Sequence, residues 1–212
     1  RHKIDAKKQL AIIFLGGLNL NWLIDAEIEK NFLETGHPKN ITLVHSCGQS
    51  DRERGIQHLA HEGLVKRIIG SHWGLQPRWM EMIAESKVEA FCLPQGQIAQ
   101  LYRSMACGLP GKMSKVGLGT FIDPRYEGGK MNERTKPLNN IVDILQYDNE
   151  EYMFYKAIPL DIVIIRGTTC DEMGNINGRT GKSACGSMGY AKVDAEYADY
   201  VIAITDNLVA FP

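Results

Sequence analysis

Short apolar runs alternate along this chain with stretches whose apolar residues recur every three or four positions. "LAIIFL" (Leu10–Leu15) reads as a strand, and "WLIDAEIEKNFLE" (Trp22–Glu34) as an amphipathic helix. Gly36 and Pro38 stop that helix, since glycine tolerates the left-handed turn past a helix end and proline cannot continue it. "ITLVH" is a second strand, followed by a helix-like piece through "IQHLAHEG" and a strand in "VKRIIG". "WMEMIAES" reads as helix, "VEAFCL" as strand, and "GQIAQLYRSMACG" as a helix ending at Gly108 before Pro110. From Val142 to Lys156 the period changes: "VDILQY", a polar turn "DNEE" and "YMFYKA" predict a hairpin beside the main sheet. "LDIVIIRGT" then returns as a buried central strand, and "YVIAIT" is another. This alternation predicts one α/β domain over residues 1–212, an open, mostly parallel sheet flanked by helices, with a small antiparallel hairpin excursion.

Composition narrows the classes. At 212 residues, 44% apolar and 23% charged, the chain can bury the core of an ordinary globular protein. A net charge of -1 gives no electrostatic reason to expect nucleic acid or an anionic membrane as partner. No apolar run approaches the roughly 20 residues that span a bilayer, and no signal-peptide pattern is present. Five scattered cysteines without a CxxC pair fit a reducing cytoplasm better than a disulfide scaffold or a zinc site. The start at Arg1 and the stop at Pro212 fit a fragment or one subunit of a larger enzyme.

Several motifs are near misses. "RTGKSACG" lacks the first glycine of a phosphate loop, where Ile176 stands. "CGSMG" has Cys185 in place of the first glycine of a nucleophile elbow, which makes Ser187 a turn residue. "GLGTFI" has two glycines of a dinucleotide fingerprint but Ile122 at the third. His58 and His61 beside Glu62 resemble a zincin spacing with no third ligand nearby; they read as surface or core-edge histidines, and no metal is expected. Trp73, Trp79 and the hairpin tyrosines read as core or interface residues.

Chemistry points instead to the loops. "SCGQSDRERG", "GSHWG", "PQGQ" and "GLGTFIDPR" each follow a predicted strand, and in a parallel sheet the carboxyl ends of the strands share one side. Gly48, Ser71, Gln95, Gly96, Gly119 and Thr120 are therefore expected to converge on one crevice. Glycines admit close backbone approach, and exposed amide groups hold a carboxylate or a developing oxyanion. For any single loop the plain alternative is a good turn and nothing more. Spacing assigns no Ser-His-Asp set, carboxylate pair or activated cysteine. The residues themselves lead as far as a small anionic ligand held by backbone and amide donors.

"FLETGHPKNITLV", "GQSDRERGIQHLAHEGLVKRIIGSHWG", "LPQGQIAQLYRSMACGLPG", "GLGTFIDPRYEGGKMNERT" and "DNEEYMFYKAIPLDIVIIRGTTCDEMGNI" together resemble the α part of the family I acyl-CoA transferases, of the acetate or propionate CoA-transferase type. Two stretches depart from that pattern. "IFLGGLNLN" displaces Gly16 and Gly17 relative to the family's glycine turn. The segment from Cys170 to Pro212 resembles instead the α subunit of citrate lyase.

The resemblance implies a ping-pong exchange in which a glutamate attacks an acyl-CoA thioester and CoA returns to form a glutamyl-CoA thioester. That glutamate belongs to a β part, a separate subunit or a C-terminal half. No catalytic residue is therefore expected in this chain, and Glu127 does not sit in the matching context. Coenzyme A enters as a substrate, with an acyl-CoA and a small carboxylate, in a cytoplasmic oligomer. Gln95, Gly96, Gly117, Gly119, Thr120 and Phe121 would line the acyl and acceptor pocket, Phe121 closing an apolar wall and Gln95 orienting the acyl oxygen. The alternatives are a citrate lyase α-like acyl-carrier transferase and a non-catalytic α/β ligand-binding domain.

Overall fold

The computed structural model describes residues 11–15, 21–48, 50–179 and 189–212. In chain order it begins with β1 (Ala11–Leu15), α1 (Asn21–Thr35), β2 (Ile41–Val44) and β3 (Val65–Gly70). Then come α2 (Pro77–Ala84), β4 (Glu89–Cys92), α3 (Gln95–Ala106) and β5 (Gly111–Ser114). The remainder holds β6 (Val142–Tyr147), β7 (Glu150–Lys156), β8 (Ile162–Arg166), β9 (Thr169–Cys170), β10 (Ile176–Asn177), α4 (Ala191–Tyr197) and β11 (Tyr200–Ile204).

Six strands form one parallel sheet in the order β11-β8-β1-β2-β3-β4. Alternation along β8 distributes its apolar residues to two cores. Ile162 and Ile164 join Leu43, Ile68 and Ala90 on the face covered by α1 and α2. Val163 and Ile165 join Val44, Ile69 and Phe91 on the face covered by α3, α4 and the smaller sheet. Burial on both faces is why these strands read as continuous apolar runs. Trp73 and Trp79 are core residues, as the sequence predicts; Trp79 is fully buried and its indole N–H donates to the Ile56 carbonyl at 2.8 Å.

The hairpin is present and larger than expected. β6 and β7 are joined by Asp148 and Asn149, both at positive φ, the mirror-image two-residue turn that matches strand twist. β5 adds a third antiparallel strand on the other side of β7. "GKMS" carries too little apolar signal to be read as a strand. Gly111 is nonetheless required there, because a Cβ would lie 2.3 Å from the Tyr155 carbonyl oxygen. Of the hairpin tyrosines Tyr155 is buried and Tyr147 is exposed. The helix read through "IQHLAHEG" shrinks to a single 3-10 turn, Ile56–Leu59, after which Ala60 leaves helical geometry.

His58 and His61 sit at the core edge, as the sequence predicts, but they are not alone. The Glu29 carboxylate on α1 takes His58 Nδ1 on one oxygen and His61 Nε2 on the other. Arg78 approaches the same carboxylate at 3.5 Å. Burial acts to raise the Glu29 pKa, but hydrogen bonds from both histidines outweigh it and hold the carboxylate below its usual range. The cluster ties α1 to the 3-10 turn, the loop after it and α2. Among the described residues no group of three His, Cys, Asp or Glu side chains has metal-holding geometry. No helix among them is long and apolar enough to cross a membrane.

α4 packs on α3, with the Tyr190 and Tyr102 rings 5.2 Å apart. Beneath them Asp194 is fully buried and neither carboxyl oxygen has a hydrogen-bond partner. Burial pushes its pKa up to about 7. A carboxyl protonated in the fold but ionised in the unfolded chain contributes its stability at low pH and loses it as pH rises toward 7. Asp194→Asn is therefore expected to match the wild type in thermal unfolding near pH 4. Near pH 8 it should be more stable, by at most on the order of 4 kcal/mol. A difference in melting temperature that stays constant between the two pH values would refute this.

Candidate functional site

Three of the expected loops meet at the carboxyl edge of the parallel sheet. β2 runs into His45 and Ser46, β3 into Ser71 and β4 into Leu93 and Pro94. The Ser71 hydroxyl donates to the Ser46 carbonyl, and Cys92 Sγ donates to the Ser71 carbonyl at 3.2 Å. Ser46 and Tyr190 share a hydroxyl–hydroxyl hydrogen bond across the edge. Gly48 is buried against Gln76, whose Nε2 donates to its carbonyl at 2.9 Å. Gly48, Ser71, Gln95 and Gly96 thus belong to one edge.

Gln95 and Gly96 open α3 directly. Their side of the helix has no side-chain cap, because Pro94 occupies the capping position. The amides of Gln97 and Ile98 turn back to the Pro94 carbonyl at 2.9 and 3.1 Å. The first amides of a helix have no partner within it and carry the positive end of its dipole. Gln95 and Gly96 are both exposed, so the edge presents backbone donors to solvent.

The "GLGTFIDPRYEGG" loop reaches this edge by a different route from the one expected. The strand before it is β5, which lies in the antiparallel sheet, so the loop does not leave a carboxyl end of the parallel one. Its far end returns instead as an extra edge pairing: Cys92 N–H donates to Gly129 at 2.7 Å and Met131 N–H to Ala90 at 3.0 Å. Gly129 N–H donates in turn to the Phe121 carbonyl at 3.0 Å. Phe121 is therefore two hydrogen bonds from the end of β4. Glycine is required at both anchor points. Gly129 sits at φ +72 with a Cβ site 2.6 Å from the Cys92 carbonyl, and Gly117 at φ +100 with one 2.7 Å from the Tyr155 hydroxyl.

The donors expected to meet a ligand from this turn are occupied. Gly119 N–H donates to Asp123 at 2.9 Å, and the Thr120 hydroxyl donates to the Gly117 carbonyl at 2.7 Å. Phe121 is 43% exposed, while Ile122 is the residue that enters the core. No hydrogen bond among the described residues links Gln95 or Gly96 to the Gly117–Phe121 turn. Asp123 organises the turn: its buried carboxylate also accepts from Arg125 N, Nε and Nη2 at 3.0, 3.0 and 2.7 Å. Those hydrogen bonds, Arg125 foremost, hold Asp123 well below the usual carboxylate range. Arg125 continues to Glu151 on β7 at 2.9 Å, so the turn is fastened to the small sheet. Glu127 is exposed at the surface of this loop.

Behind the edge lie polar groups without partners. His45 is buried with both ring nitrogens unbonded, edge-on to Trp73 at 6.0 Å. Burial, with a smaller contribution from His72, lowers its pKa to about 3, so it is neutral. Trp73 Nε1 and Gln76 Oε1 are unpartnered too. At the end of β8, Arg166 is buried with no acceptor for its Nε.

Comparison with known proteins places this geometry. The pattern of the Coenzyme A transferase family matches residues 10–209. The chain belongs to the coenzyme A transferase family. It is 43% identical over 174 residues to acetate CoA-transferase YdiF of Escherichia coli K12, covering 81% of this chain and 32% of that protein. It is 47% identical over 195 residues to the citrate lyase alpha chain of Klebsiella pneumoniae, covering 89% of this chain and 32% of that protein. The crystal structure of the acyl-CoA transferase YdiF apoenzyme from Escherichia coli O157:H7 superposes with a TM-score of 0.85 at 34% identity. That superposition covers 95% of this chain and 39% of the other. The chain thus spans about a third of the length of the curated relatives it matches.

Within this coenzyme A transferase fold, sequence reading missed Ser46, Tyr190 and Arg166. A serine after a strand carries no distinguishing signal, and Tyr190 reaches Ser46 across 144 positions. Arg166 had one: it is a charge closing a run of four apolar residues. The displaced turn at Gly16 and Gly17 and the phosphate-loop-like "RTGKSACG", apart from Arg179, lie outside the described residues, as does Ser187. Because Asp123 supplies four acceptor contacts to the turn, Asp123→Ala should cost about 1.5–3 kcal/mol. In the wild type this stabilisation is present at neutral pH and is lost only as pH falls below the ordinary carboxylate range. Urea unfolding at pH 7 measures it; an unchanged midpoint would show that the turn does not depend on this carboxylate.

Proposed function

We propose that this chain is the α part of a CoA-transferase that moves CoA between a short-chain acyl-CoA and a carboxylate such as acetate. The observation that carries the reading is a carboxyl edge of open backbone donors at Gln95 and Gly96 in a family fold that spans a third of its relatives. The exchange needs a carboxylate nucleophile, and the reading assigns it to a β part, a separate subunit or the other half of a longer chain. The glutamate attacks the thioester carbonyl, the C–S bond breaks, and CoA leaves as thiolate from an acyl-glutamyl anhydride. The thiolate then attacks the glutamyl carbonyl, releasing the first carboxylate and leaving CoA on the enzyme. The acceptor carboxylate reverses both steps. Covalent intermediates split one difficult exchange into easier steps.

Each step passes through an oxyanion. The start of α3 offers amide donors and a positive dipole end where that charge develops, and Gln95 adds a side-chain amide. In this reading the Gly117–Phe121 turn serves as wall and spacer, since Gly119 and Thr120 already spend their donors on it. Its tether through Gly129 holds that wall to the end of β4.

A second reading, a citrate lyase α-like acyl-carrier transferase, is favoured by the 47% identity to a citrate lyase alpha chain. Labelled acetate and acetyl-CoA, incubated with the full-length protein and its β part, test the first reading; citrate with an acyl-carrier thioester tests the second. Label entering CoA ester is expected in the first assay, and its absence from both would leave an α/β ligand-binding domain. In the active enzyme, Gln95→Ala is expected to lower kcat by roughly 10²-fold while CoA affinity changes little. Unchanged turnover would remove Gln95 from the site.

A further inference from the structure

The order of the parallel sheet reverses at one place. From β1 the chain adds β2, β3 and β4 outward on one side, and later β8 and β11 on the other. The groove outside the carboxyl ends of the two strands at such a reversal is where doubly wound sheets leave room for a ligand. Arg166 is the last residue of β8 and stands at that groove. Strand alternation directs it to the α1 face, with Ile162 and Ile164.

Its surroundings are unusual for an arginine. It is 5% exposed, its Nε is enclosed without an acceptor, and none of its nitrogens pairs with a carboxylate among the described residues. Arg67, Arg78 and Arg125, all more exposed, each have a carboxylate partner. A guanidinium cannot shed its charge at any physiological pH, so a buried one without a counter-ion is costly to keep. Three residues on, Thr169 also keeps a buried hydroxyl without a partner. The fold maintains a positive charge and a donor at the place where a parallel sheet receives its ligand.

We propose that Arg166 is the anion-binding residue for a small carboxylate, holding the acyl acceptor at the groove between β1 and β8. The assignment of that carboxylate as acceptor rests on the CoA-transfer reading above. The planar fork of a guanidinium matches a carboxylate with two parallel hydrogen bonds. One positive charge balances a monocarboxylate. A phosphate dianion would call for more, and the residues that follow β8 and β11, "GTTC" and "TDNL", supply no second lysine or arginine.

Thermal unfolding of the full-length protein in acetate, in inorganic phosphate and in chloride at equal ionic strength tests this, with Arg166→Met and Arg166→Lys beside the wild type. Acetate is expected to raise the wild-type melting temperature in a dose-dependent way that chloride does not reproduce. Arg166→Met should melt at or above the wild type without anion, because it removes an unpaired buried charge, and should ignore acetate. Arg166→Lys should respond weakly, keeping the charge but losing the fork. In the exchange assay Arg166→Lys should raise the KM for acetate by about tenfold or more with little change for the acyl-CoA.

A wild type indifferent to acetate, with Arg166→Met melting lower, would make the arginine structural and overturn the inference. Stabilisation by phosphate where acetate has no effect would overturn the choice of carboxylate in favour of the phosphates of CoA. Acetate stabilisation without CoA exchange would leave the site standing and remove the transferase reading. Exchange with an unaltered acetate KM in Arg166→Lys would do the reverse.

Discussion

Parallel hydrogen bonding between β1 and β8 is the constraint from which the arrangement follows. Ile12 to Leu15 pair in register with Ile162 to Ile165, although about 150 residues separate them. That pairing splits the chain into two wings of one sheet and turns every carboxyl end to the same side. Crossover connections of parallel strands are right-handed. The first wing therefore sends α1 and α2 to one face, and the second wing sends α4 to the other, as the two apolar clusters show. The edge that results gathers Ser46, Ser71 and the start of α3 from segments far apart in sequence.

Much of this was legible because buried parallel strands declare themselves. "ITLV", "VKRIIG", "EAFC" and "IVIIR" are apolar on both faces, and the helices between them are closed by Gly36 and Gly108 at positive φ. What was not legible depended on long-range pairing. β5 is a strand only because β7 offers it a partner, and Gly111 only because Tyr155 passes so close. The 3-10 turn at Ile56 goes no further because Ala60 leaves helical geometry and Gly63, at positive φ, turns the chain toward β3.

The site divides along the same line. Gln95 and Gly96 were chosen from a glycine-containing loop after a strand, and that strand, β4, does belong to the parallel sheet. Gly117, Gly119 and Thr120 were chosen by the same rule, yet the strand before them is antiparallel. Their turn meets the edge only through the Gly129 pairing with β4. Local sequence identifies a tight turn well; it does not say which sheet the turn belongs to. The partner of Arg125 beyond Asp123, Glu151 on β7, is likewise set by tertiary contact.

A distinct logic governs the unpaired groups beneath the edge. His45 escapes its cost by staying neutral, and burial pushes Asp194 the same way, each by giving up charge. Arginine has no such exit. A chain that pairs Asp123 with Arg125, and Arg125 in turn with Glu151, satisfies its charges from within when only structure is at stake. The contrast separates two kinds of buried polarity in one small fold. Groups that can neutralise are tolerated within the packing. The one that cannot neutralise sits at the reversal of strand order, where a charge of opposite sign can arrive from outside.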